Sequence, residues 1–579
     1  MKNQLIIFLT ILILLTQAFS QDCKAQWAKQ ILNQLTVEQK IGQLFIVGVY
    51  NNKFCKNEFI DINTLPDLIQ KRIVNTTKKD KFNKKIAQKL IQKYNIGGIH
   101  LLDFGSIKSC FDSIEYFQSI SKIPLLISQD FEWGLTMRLH DAIRFPRNMT
   151  LGAIQDNNLI YQLGKEIGRQ CKLLGLHINF APVIDINSNP NNPVIGDRSF
   201  GSNKENVAQK GIQVMLGLQD AGIISCAKHF CGHGDTITDS HLDLPIINHT
   251  IERINDFELY PFKGLINNGV KAIMSAHIHV PSIDSRLNRS LTLSQNAMTE
   301  LLQNKLKFSG LIITDALDMQ GITKHFNNGE AALEAFLAGN DILLMCEDVP
   351  KAINTIKKVV QENELLQKEL DRRVLKILTT KEKLNLHITK NNAPFIYENF
   401  HTNYAKELKS KLYESAITII DNQELIIDNN SYSNNCSNNS KKIALIQISN
   451  NKLNNQNVFY TELKKHYKDL YSFNISLNNS PENYNNLLNQ IEKYETIIIG
   501  LFDINKFAHL NYGINQNCLN FLNDLKQKTI LTIFGSPYSL KLFNNFKNII
   551  IAYENDVDAQ IASAKVISGK LKAIGKLPI

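Results

Sequence analysis

The 579-residue sequence predicts an α/β fold, in which a (β/α)8 TIM-type barrel is followed by a smaller α/β sandwich domain. Three observations lead to this prediction. Between residues 40 and 350, eight short apolar runs alternate with helix-sized segments, and beyond residue 400 a second alternation begins. The hydrophobic content of 44% is ordinary for a globular chain, so it excludes a polytopic membrane protein and a wholly disordered one.

The eight runs of the first region have the composition of strands that are buried on both faces. Such runs, joined by helices, are typical of parallel strands, and eight of them predict a closed barrel. A doubly wound open sheet is the alternative. The runs are Leu44 to Val49, Gly97 to Leu102, Pro124 to Ser128, His177 to Val183, Gly222 to Ala227, Lys271 to Ser275, Leu311 to Thr314 and Asp341 to Met345.

The second region contains five further apolar runs that alternate with helical segments. We place the barrel in residues 21–390 and the smaller domain in residues 400–579. An Asn- and Ser-rich segment, Asn429 to Ser440, is expected to be a surface loop of the smaller domain. The runs are Ala416 to Ile420, Ile443 to Ile448, Thr496 to Leu501, Thr529 to Phe534 and Ile549 to Ala552.

The first twenty residues have the pattern of a secretory signal peptide. Lys2 precedes an apolar run from Leu5 to Leu15, and Ala18 and Ser20 form a small-residue pattern that predicts cleavage before Gln21. The run is too short to span a bilayer comfortably. We therefore expect an exported protein, periplasmic or extracellular, with no integral membrane span after cleavage.

The cysteine pattern bears on lipid anchoring, disulfides and zinc binding, and the net charge bears on nucleic-acid binding. Cys23 raises the possibility of a lipid anchor, but Gln21 and Asp22 stand where a lipoprotein site has small residues. The other cysteines are scattered without a CxxC pair, so neither a dense disulfide framework nor a zinc knuckle is indicated. The net charge of +10 is spread along the chain without an arginine-rich block, so no nucleic-acid partner is predicted.

Ionisable side chains follow five successive strands of the predicted barrel. Active sites in this fold lie at the carboxyl ends of the strands, so these residues predict one polar site there. Any one of them alone could simply satisfy nearby backbone groups, but the set favours a functional site. The residues are Asp130 and Glu132 after strand three, Asp185, Asp197 and Arg198 after strand four, Lys228 and His229 after strand five, His277 after strand six and Asp315 after strand seven.

The densest polar stretch runs from Lys228 to His241. Asp239 and His241 are two residues apart, so in extended chain they point to the same side, and Asp239 can fix the tautomer of the imidazole. The other ring nitrogen of His241 can then exchange a proton with a substrate oxygen. Two alternatives remain open. The side chains could only hold the loop together, or His229, His233, Asp235, Asp239 and His241 could ligate a divalent metal.

Asp315 ends an apolar strand, where a carboxylate can serve as a nucleophile. A retaining glycosidase needs an attacking carboxylate and an acid that protonates the leaving oxygen, and Asp315 and His241 fit these roles. The other polar residues of the site do not require a metal. The sequence has no glycine-rich phosphate loop, so no cofactor is predicted. The predicted saccharide-binding residues, which can hold sugar hydroxyls and an amide, are Asp130, Arg138, Arg198, Lys228 and His229.

Four sequence strings resemble the β-N-acetylglucosaminidase (β-hexosaminidase) branch of glycoside hydrolase family 3. They are NFAPVIDI at 179–186, IGDRSFG at 195–201, KHFCGHGDTITDSH at 228–241 and GLIITDALDM at 310–319. The resemblance covers residues 35–350 strongly. It implies that Asp315 is the nucleophile and that His241, with Asp239, is the general acid/base. It also implies saccharide binding by the five residues named above.

The chain departs from the family pattern at two positions. Trp133 stands where the usual EGG sequence has its first glycine, and Cys231 stands where KHFPGHGD has its proline. Both changes affect loop shape and so bear on fine specificity. The second domain resembles the family more weakly, through FGSPYSLK at 534–541 and the final GKLPI, which leaves open whether its last edge is complete.

The resemblance implies an exported, retaining exo-β-N-acetylglucosaminidase of the β-N-acetylhexosaminidase type. Its expected partner is a carbohydrate, either peptidoglycan (muropeptide) fragments or chitin-type fragments. A family 3 β-glucosidase-like enzyme, a metal-dependent hydrolase that uses the His/Asp loop and a sugar-binding protein without catalysis are the alternatives. The sequence leaves open whether water or phosphate accepts the sugar, and also the oligomeric state.

Overall fold

The computed structural model describes residues 26–50, 83–102, 105–240, 242–327, 329–388, 394–420, 442–450, 457–525, 529–544 and 546–579. The predicted signal peptide, Cys23, the Asn429 to Ser440 segment and His241 lie outside the described residues. No helix among the described residues is long and apolar enough to cross a membrane.

The first domain is an eight-stranded parallel barrel. Its strands are β1 Phe45–Val49, β2 Gly98–Leu101, β3 Leu126–Gln129, β4 Ile178–Asn179, β5 Ile224–Phe230, β6 Ala272–Ser275, β7 Leu311–Thr314 and β8 Leu343–Leu344. They occur in the order β7-β6-β5-β4-β3-β2-β1-β8. The Thr314 N–H of β7 donates to the carbonyl of Ile342, the residue before β8, at 3.0 Å, and this contact closes the barrel. The barrel prediction is thus confirmed over the open sheet.

Helices surround the barrel and explain why its strands are apolar throughout. Every residue of β1 is buried, since the barrel interior covers one face and helices cover the other. The longer barrel helices are Gln26–Gln34, Lys84–Tyr94, Ile107–Ser119, Asn157–Leu174, Lys204–Asp220, Tyr260–Asn267, Glu330–Ala338, Val349–Gln361 and Glu364–Lys383, with a π-helix at Asn296–Lys305. Shorter helical segments are Val37–Gly42, Leu135–Met137, Asn148–Ala153, Gly196–Arg198, Ile251–Arg253, Ile254–Glu258, Leu291–Leu293 and Gln320–Thr323.

The second domain contains a six-stranded sheet. The strands are β9 Thr418–Ile420, β10 Ile443–Ile448, β11 Leu470–Ile475, β12 Thr496–Leu501, β13 Thr529–Ile533 and β14 Ile549–Ile551. They occur in the order β11-β10-β12-β13-β14-β9, and all neighbouring strands are parallel except β9, which runs antiparallel to β14. The helical segments are Tyr397–Phe400, Asn403–Ala416, Val458–His466, Pro481–Ile491, Ala508–Gly513, Gln516–Leu525, Pro537–Leu542 and Val557–Ile567.

One strand of this sheet, β11, was not predicted from the sequence. It lies at the sheet edge and pairs only with β10 among the described strands. Its residues are mostly half-exposed or exposed, so the segment LYSFNI mixes polar and apolar side chains. A search for continuous apolar runs finds strands that are covered on both faces, and it misses an edge strand of this kind.

The two domains share one buried apolar cluster. It includes Ile313 of β7 in the barrel and Ile499 of β12 in the second sheet. A separate, smaller cluster fills the other face of the second sheet and includes Ile498 and Phe534. The second domain therefore packs directly against the barrel.

Candidate active site

Asp130 follows β3 and brings two of the predicted saccharide-binding residues together. Its Oδ1 lies 2.9 Å from Nζ of Lys228, which belongs to β5. Its Oδ2 accepts a 2.7 Å hydrogen bond from Nη2 of Arg138 and lies 3.6 Å from Nε2 of His100. The carboxyl ends of β2, β3 and β5 thus meet at one carboxylate.

Glu132 joins the remaining predicted arginine to the same group. Arg198 donates to Glu132 from Nε at 3.0 Å and from Nη2 at 2.7 Å. Lys228 Nζ lies 3.0 Å from Glu132 Oε1, so this lysine bridges both carboxylates. Asp130, Glu132, Arg138, Arg198 and Lys228 are called the clamp network below.

The clamp network keeps its groups charged although it is largely buried. Burial alone would raise the pKa of Glu132, but Arg198 and Lys228 outweigh it and lower that pKa to about 2. The pKa of Asp130 is held well below its ordinary value, because Lys228 and Arg138 outweigh burial. Burial would lower the pKa of Lys228, yet the two carboxylates raise it. These side chains are therefore ionised and held in fixed directions at neutral pH.

His229, also predicted for saccharide binding, is oriented by Asp185. Nδ1 of His229 lies 2.7 Å from Asp185 Oδ2, so Nε2 is the ring nitrogen left to face a ligand. Asp185 also accepts the backbone N–H of His233 at 2.7 Å. Burial opposes ionisation of Asp185, but His229 and these hydrogen bonds lower its pKa. Asp185 thus anchors the start of the loop that follows β5.

Two glycines, Gly232 and Gly234, allow the tight backbone of that loop. Gly232 has φ +122°, a conformation that side chains rarely adopt, and a Cβ on Gly234 would lie 1.7 Å from the Ile186 carbonyl oxygen. Asp239 and Ser240 are buried further along the loop. His241 lies outside the described residues, so its pairing with Asp239 stays a prediction.

The described histidines and carboxylates of the loop have protein partners. His233 Nδ1 lies 2.9 Å from Thr236 Oγ1, and its Nε2 lies 3.1 Å from Ser240 Oγ. Asp235 Oδ2 lies 2.6 Å from Nε2 of His249. Within the described part of the chain, no three His, Cys, Asp or Glu side chains are placed to hold a metal ion together. The metal-site alternative also involves His241, which lies outside the described residues, so it stays an alternative.

Asp315, the predicted nucleophile, follows β7 and is half-buried. Its N–H donates to the Ser275 carbonyl at 3.1 Å, and its Oδ1 accepts the N–H of Ala316 at 2.8 Å. The carbonyl of Ala316 in turn lies 2.9 Å from Nε2 of His277. These contacts fix the carboxylate at the carboxyl end of the barrel.

The surroundings of Asp315 connect it to the rest of the site. Burial lowers the pKa of His233 to about 4, and Asp315 is among the carboxylates that act against this shift. Burial raises the pKa of Cys226. The charge of Lys228 opposes this rise, whereas the charges of Asp130 and Asp315 add to it. Asp315 and two residues of the clamp network, Lys228 and Asp130, thus all affect the pKa of Cys226.

Sequence reasoning missed the roles of Glu132 and Asp185, although it noted both as residues that follow strands. Glu132 holds Arg198 and Lys228, and Asp185 orients His229. It also missed His100, which lies within β2 and beside Asp130. The sequence carried a signal for these residues in their position, because each lies in or just after a barrel strand. It carried no signal for their contacts, because the residues that pair are far apart in the sequence.

Residues 36–380 match the family model described as glycosyl hydrolase family 3 N terminal domain. The chain belongs to glycosyl hydrolase family 3. This match covers more than half of the chain and contains all eight barrel strands. The family resemblance, the barrel fold and the enzyme class inferred from the sequence are confirmed, and the protein is a glycoside hydrolase.

Two curated proteins and one solved structure are similar to this chain. "Beta-hexosaminidase A" from Pseudoalteromonas piscicida is 30% identical over 85% of this chain and 90% of its own length. A "Beta-N-acetylglucosaminidase/beta-glucosidase" from Cellulomonas fimi is 25% identical over 62% of this chain and 60% of its own. The solved structure of a family 3 β-N-acetylglucosaminidase from Paenibacillus sp. is 28% identical, with a TM-score of 0.74, over 94% of this chain and 98% of that one.

Proposed function

We propose that the protein is an exported, retaining exo-β-N-acetylglucosaminidase that removes terminal β-linked N-acetylglucosamine from peptidoglycan fragments. The observation that supports the proposal is that the clamp network and Asp315 both lie at the carboxyl end of the barrel strands. The clamp network joins residues that follow β3 and β4 to Lys228 of β5, and Asp315 follows β7. The names of the relatives from Pseudoalteromonas piscicida and Paenibacillus sp. support this sugar specificity.

In the first chemical step, a carboxylate oxygen of Asp315 attacks the anomeric carbon of the bound sugar. The glycosidic bond between that carbon and the leaving oxygen breaks, and protonated His241 gives its proton to the leaving oxygen. The products of this step are a free leaving-group alcohol and a covalent glycosyl ester on Asp315. Asp239 stabilises the imidazolium and fixes its tautomer.

In the second step, the neutral imidazole of His241 takes a proton from water while the water oxygen attacks the anomeric carbon. The ester bond to Asp315 breaks and the carboxylate is regenerated. Two inversions at the same carbon release the sugar with its original β configuration.

The clamp network holds the sugar that reacts. Arg138, Arg198 and Lys228 present N–H donors, and the carboxylates that neutralise them can accept bonds from sugar hydroxyls. Three cations face two carboxylates, so the group has little excess charge and suits a neutral sugar with hydroxyls and an acetamido group. His229 Nε2 supplies a further polar contact.

The proposed location rests on the sequence pattern of the first twenty residues. The signal-like residues 1–20 support export to the periplasm or the exterior, where peptidoglycan fragments occur. Chitin-type fragments have the same terminal sugar. The catalytic unit is residues 21–390, and residues 400–579 form the second domain.

A second candidate is a β-glucosidase-like activity at the same site. The relative from Cellulomonas fimi has both activities in its name, and hydrolysis of a β-glucoside would use the same nucleophile. The two sugars differ at carbon 2, so the residues that contact the acetamido group decide between them.

The test compares nitrophenyl β-glycosides of N-acetylglucosamine and of glucose, with and without phosphate and with and without a chelator. We expect rapid release from the N-acetylglucosaminide, slow release from the glucoside and no effect of either additive. Faster release from the glucoside would favour the second candidate. Stimulation by phosphate would indicate phosphorolysis, and loss of activity with chelator would revive the metal-dependent alternative.

A further inference from the structure

We propose that the second domain positions Arg198 for sugar binding by holding residues 187–202, here called the Arg198 loop, from three sides. The proposal rests on the proposed role of Arg198 as a saccharide-binding residue. The three contacts come from Glu554, from Tyr538 and from the chain end at residues 576–578. None of these residues touches the clamp network itself in the described hydrogen bonds and ion pairs.

Glu554 lies just beyond β14 and reaches the barrel. Its Oε1 accepts hydrogen bonds from the backbone N–H of Arg147 at 2.8 Å and from the hydroxyl of Thr150 at 2.7 Å. Its Oε2 accepts a hydrogen bond from Nη2 of Arg144 at 3.1 Å. The preceding residue, Tyr553, has φ +66°. That conformation is unfavourable for a bulky residue, and such strain persists only where the surrounding structure holds it. The chain is thus bent at the place where it presents Glu554 to the barrel.

Residues 144–150, which Glu554 contacts, in turn contact the Arg198 loop. Arg147 forms an ion pair with Asp197, and its guanidinium lies 4.5 Å from the ring centre of Trp133. The neighbouring Asn148 donates from Nδ2 to the carbonyl of Arg198 at 2.6 Å. Two adjacent side chains therefore fix the residue before Arg198 and the backbone of Arg198.

Tyr538 holds the start of the same loop. Its hydroxyl donates to the Asn187 carbonyl at 3.0 Å and accepts from Nδ2 of Asn187 at 2.7 Å. Oδ1 of Asn187 accepts the N–H of Gly196 at 3.1 Å. A hydroxyl of the second domain therefore fixes the amide that anchors the turn directly before Asp197 and Arg198.

The chain end holds the far side of the loop. The N–H of Ser202 donates to the Pro578 carbonyl at 2.9 Å, and the N–H of Lys576 donates to the Ala153 carbonyl at 2.9 Å. Gly201 allows this approach, because a Cβ there would lie 2.0 Å from the Pro578 oxygen. The chain end thus crosses both the loop and the helix that grips it.

These contacts make the direction of Arg198 depend on domain docking. The two hydrogen bonds from Arg198 to Glu132 require the guanidinium to lie in the plane of the carboxylate. A small shift of the loop backbone therefore weakens both bonds. Glu554, Tyr538 and residues 576–578 are therefore positioning elements that act through Arg198. Their loss should weaken sugar binding more than it slows the chemical step.

The test combines kinetics with hydrogen–deuterium exchange on the full chain. Glu554→Gln should raise KM on the nitrophenyl N-acetylglucosaminide roughly tenfold and change kcat much less. In the Arg198→Ala background, Glu554→Gln should raise KM little further, because both changes act on the same contact between Arg198 and the sugar. Amide exchange in residues 187–202 should be faster in Glu554→Gln than in the wild type.

Glu414→Gln is the matched control, since Glu414 pairs with Lys565 inside the second domain at 2.7 Å. It should leave both KM and loop exchange unchanged. If Glu554→Gln does not fold, Tyr538→Phe removes the Asn187 contacts with a smaller change and must give the same coupling. Additive effects with Arg198→Ala, or unchanged loop exchange, overturn the inference. If Arg198→Ala itself leaves KM unchanged, the proposed sugar site is wrong, and the exchange measurement still decides whether the second domain holds the loop.

Discussion

Arg198 and Glu132 form a two-pronged ion pair, with donors at 3.0 and 2.7 Å, between the loops that follow β4 and β3. Glu132 is almost fully buried and Arg198 is mostly buried. Because Lys228 contacts the same carboxylate, Glu132 supports two of the three cations of the clamp network. This carboxylate is therefore a structural requirement of the proposed sugar site.

Replacing Glu132 by Gln should remove the charge that Arg198 and Lys228 face. Arg198 loses its carboxylate partner and Lys228 keeps only Asp130, and breaking such a buried pair costs about 3 kcal/mol of unfolding free energy, measurable by urea denaturation. KM should also rise, because Arg198 loses its fixed direction. Asp112→Asn, which breaks the exposed pair with Lys108, is the control and should change neither quantity. A fully stable Glu132→Gln protein with normal KM would contradict the role assigned to the pair.

Buried histidines should make the folded protein less stable as the pH falls from about 6.5 to about 4. Burial lowers the pKa of His233 from its ordinary 6.5 to about 4, so the unfolded chain binds a proton in this window and the folded chain does not. The stabilising contribution is thus complete above pH 6.5 and lost as the pH falls towards 4.

Urea denaturation at pH 7 and pH 4.5 can isolate the share of His233. The wild type should lose unfolding free energy between these values, and His233→Gln should lose less. His100 and His177 also have pKa values lowered to about 4 by burial, so part of the dependence should remain. His509→Gln, at an exposed histidine, should behave as the wild type does. An identical pH dependence in His233→Gln would show that its imidazole is not held neutral.

Most strands could be predicted from the sequence because they are covered on both faces. β7, β10 and β12 have the predicted bounds, since continuous apolar runs mark their whole length. β4 is shorter than predicted, because Ile178–Asn179 is the part of the run from His177 to Val183 that pairs continuously with both β3 and β5. The edge strand β11 was missed because its outer side is exposed.

The candidate site was predictable as a set of positions and not as a set of contacts. Barrel topology brings strand ends together, so Asp130, Lys228 and Asp315 could be grouped from their places in the chain. The pairing of Arg198 with Glu132 depends on loop conformation and side-chain rotamers. The contact of Glu554 with Arg147 depends on domain docking, which strand patterns do not encode.

Gly201→Ala should displace the chain end from the barrel. Its φ of +130° disfavours a side chain, and the new Cβ would meet the Pro578 carbonyl. Gly269→Ala is the matched control, because Gly269 also has positive φ (+78°) but open space around it. Thermal unfolding should show a mild loss for Gly269→Ala and a larger one for Gly201→Ala, and limited proteolysis should cut the chain end only in the latter. Equal effects of both variants would mean that the crowding at Gly201 is unimportant.

His241→Ala should harm natural glycosides far more than activated aryl glycosides. A poor leaving group needs a proton from the acid, whereas a nitrophenolate leaves without one. Azide needs no general base, so it should rescue deglycosylation of the variant and give a β-glycosyl azide. Asp239→Asn should show a weaker form of the same defect. Equal losses on both kinds of leaving group, without azide rescue, would instead favour a structural role for the loop from Lys228 to His241.

Asp315 is proposed to form the covalent glycosyl-enzyme, and trapping that intermediate tests this role. The wild type is incubated with a 5-fluoro derivative of an activated N-acetylglucosaminide, digested and mapped by mass spectrometry, with Asp315→Asn as the control. We predict one added sugar on the peptide that contains Asp315, no label on Asp315→Asn and a fall in kcat of several orders of magnitude in that folded variant. A label on another carboxylate, or near-normal turnover by Asp315→Asn, would show that Asp315 is not the nucleophile.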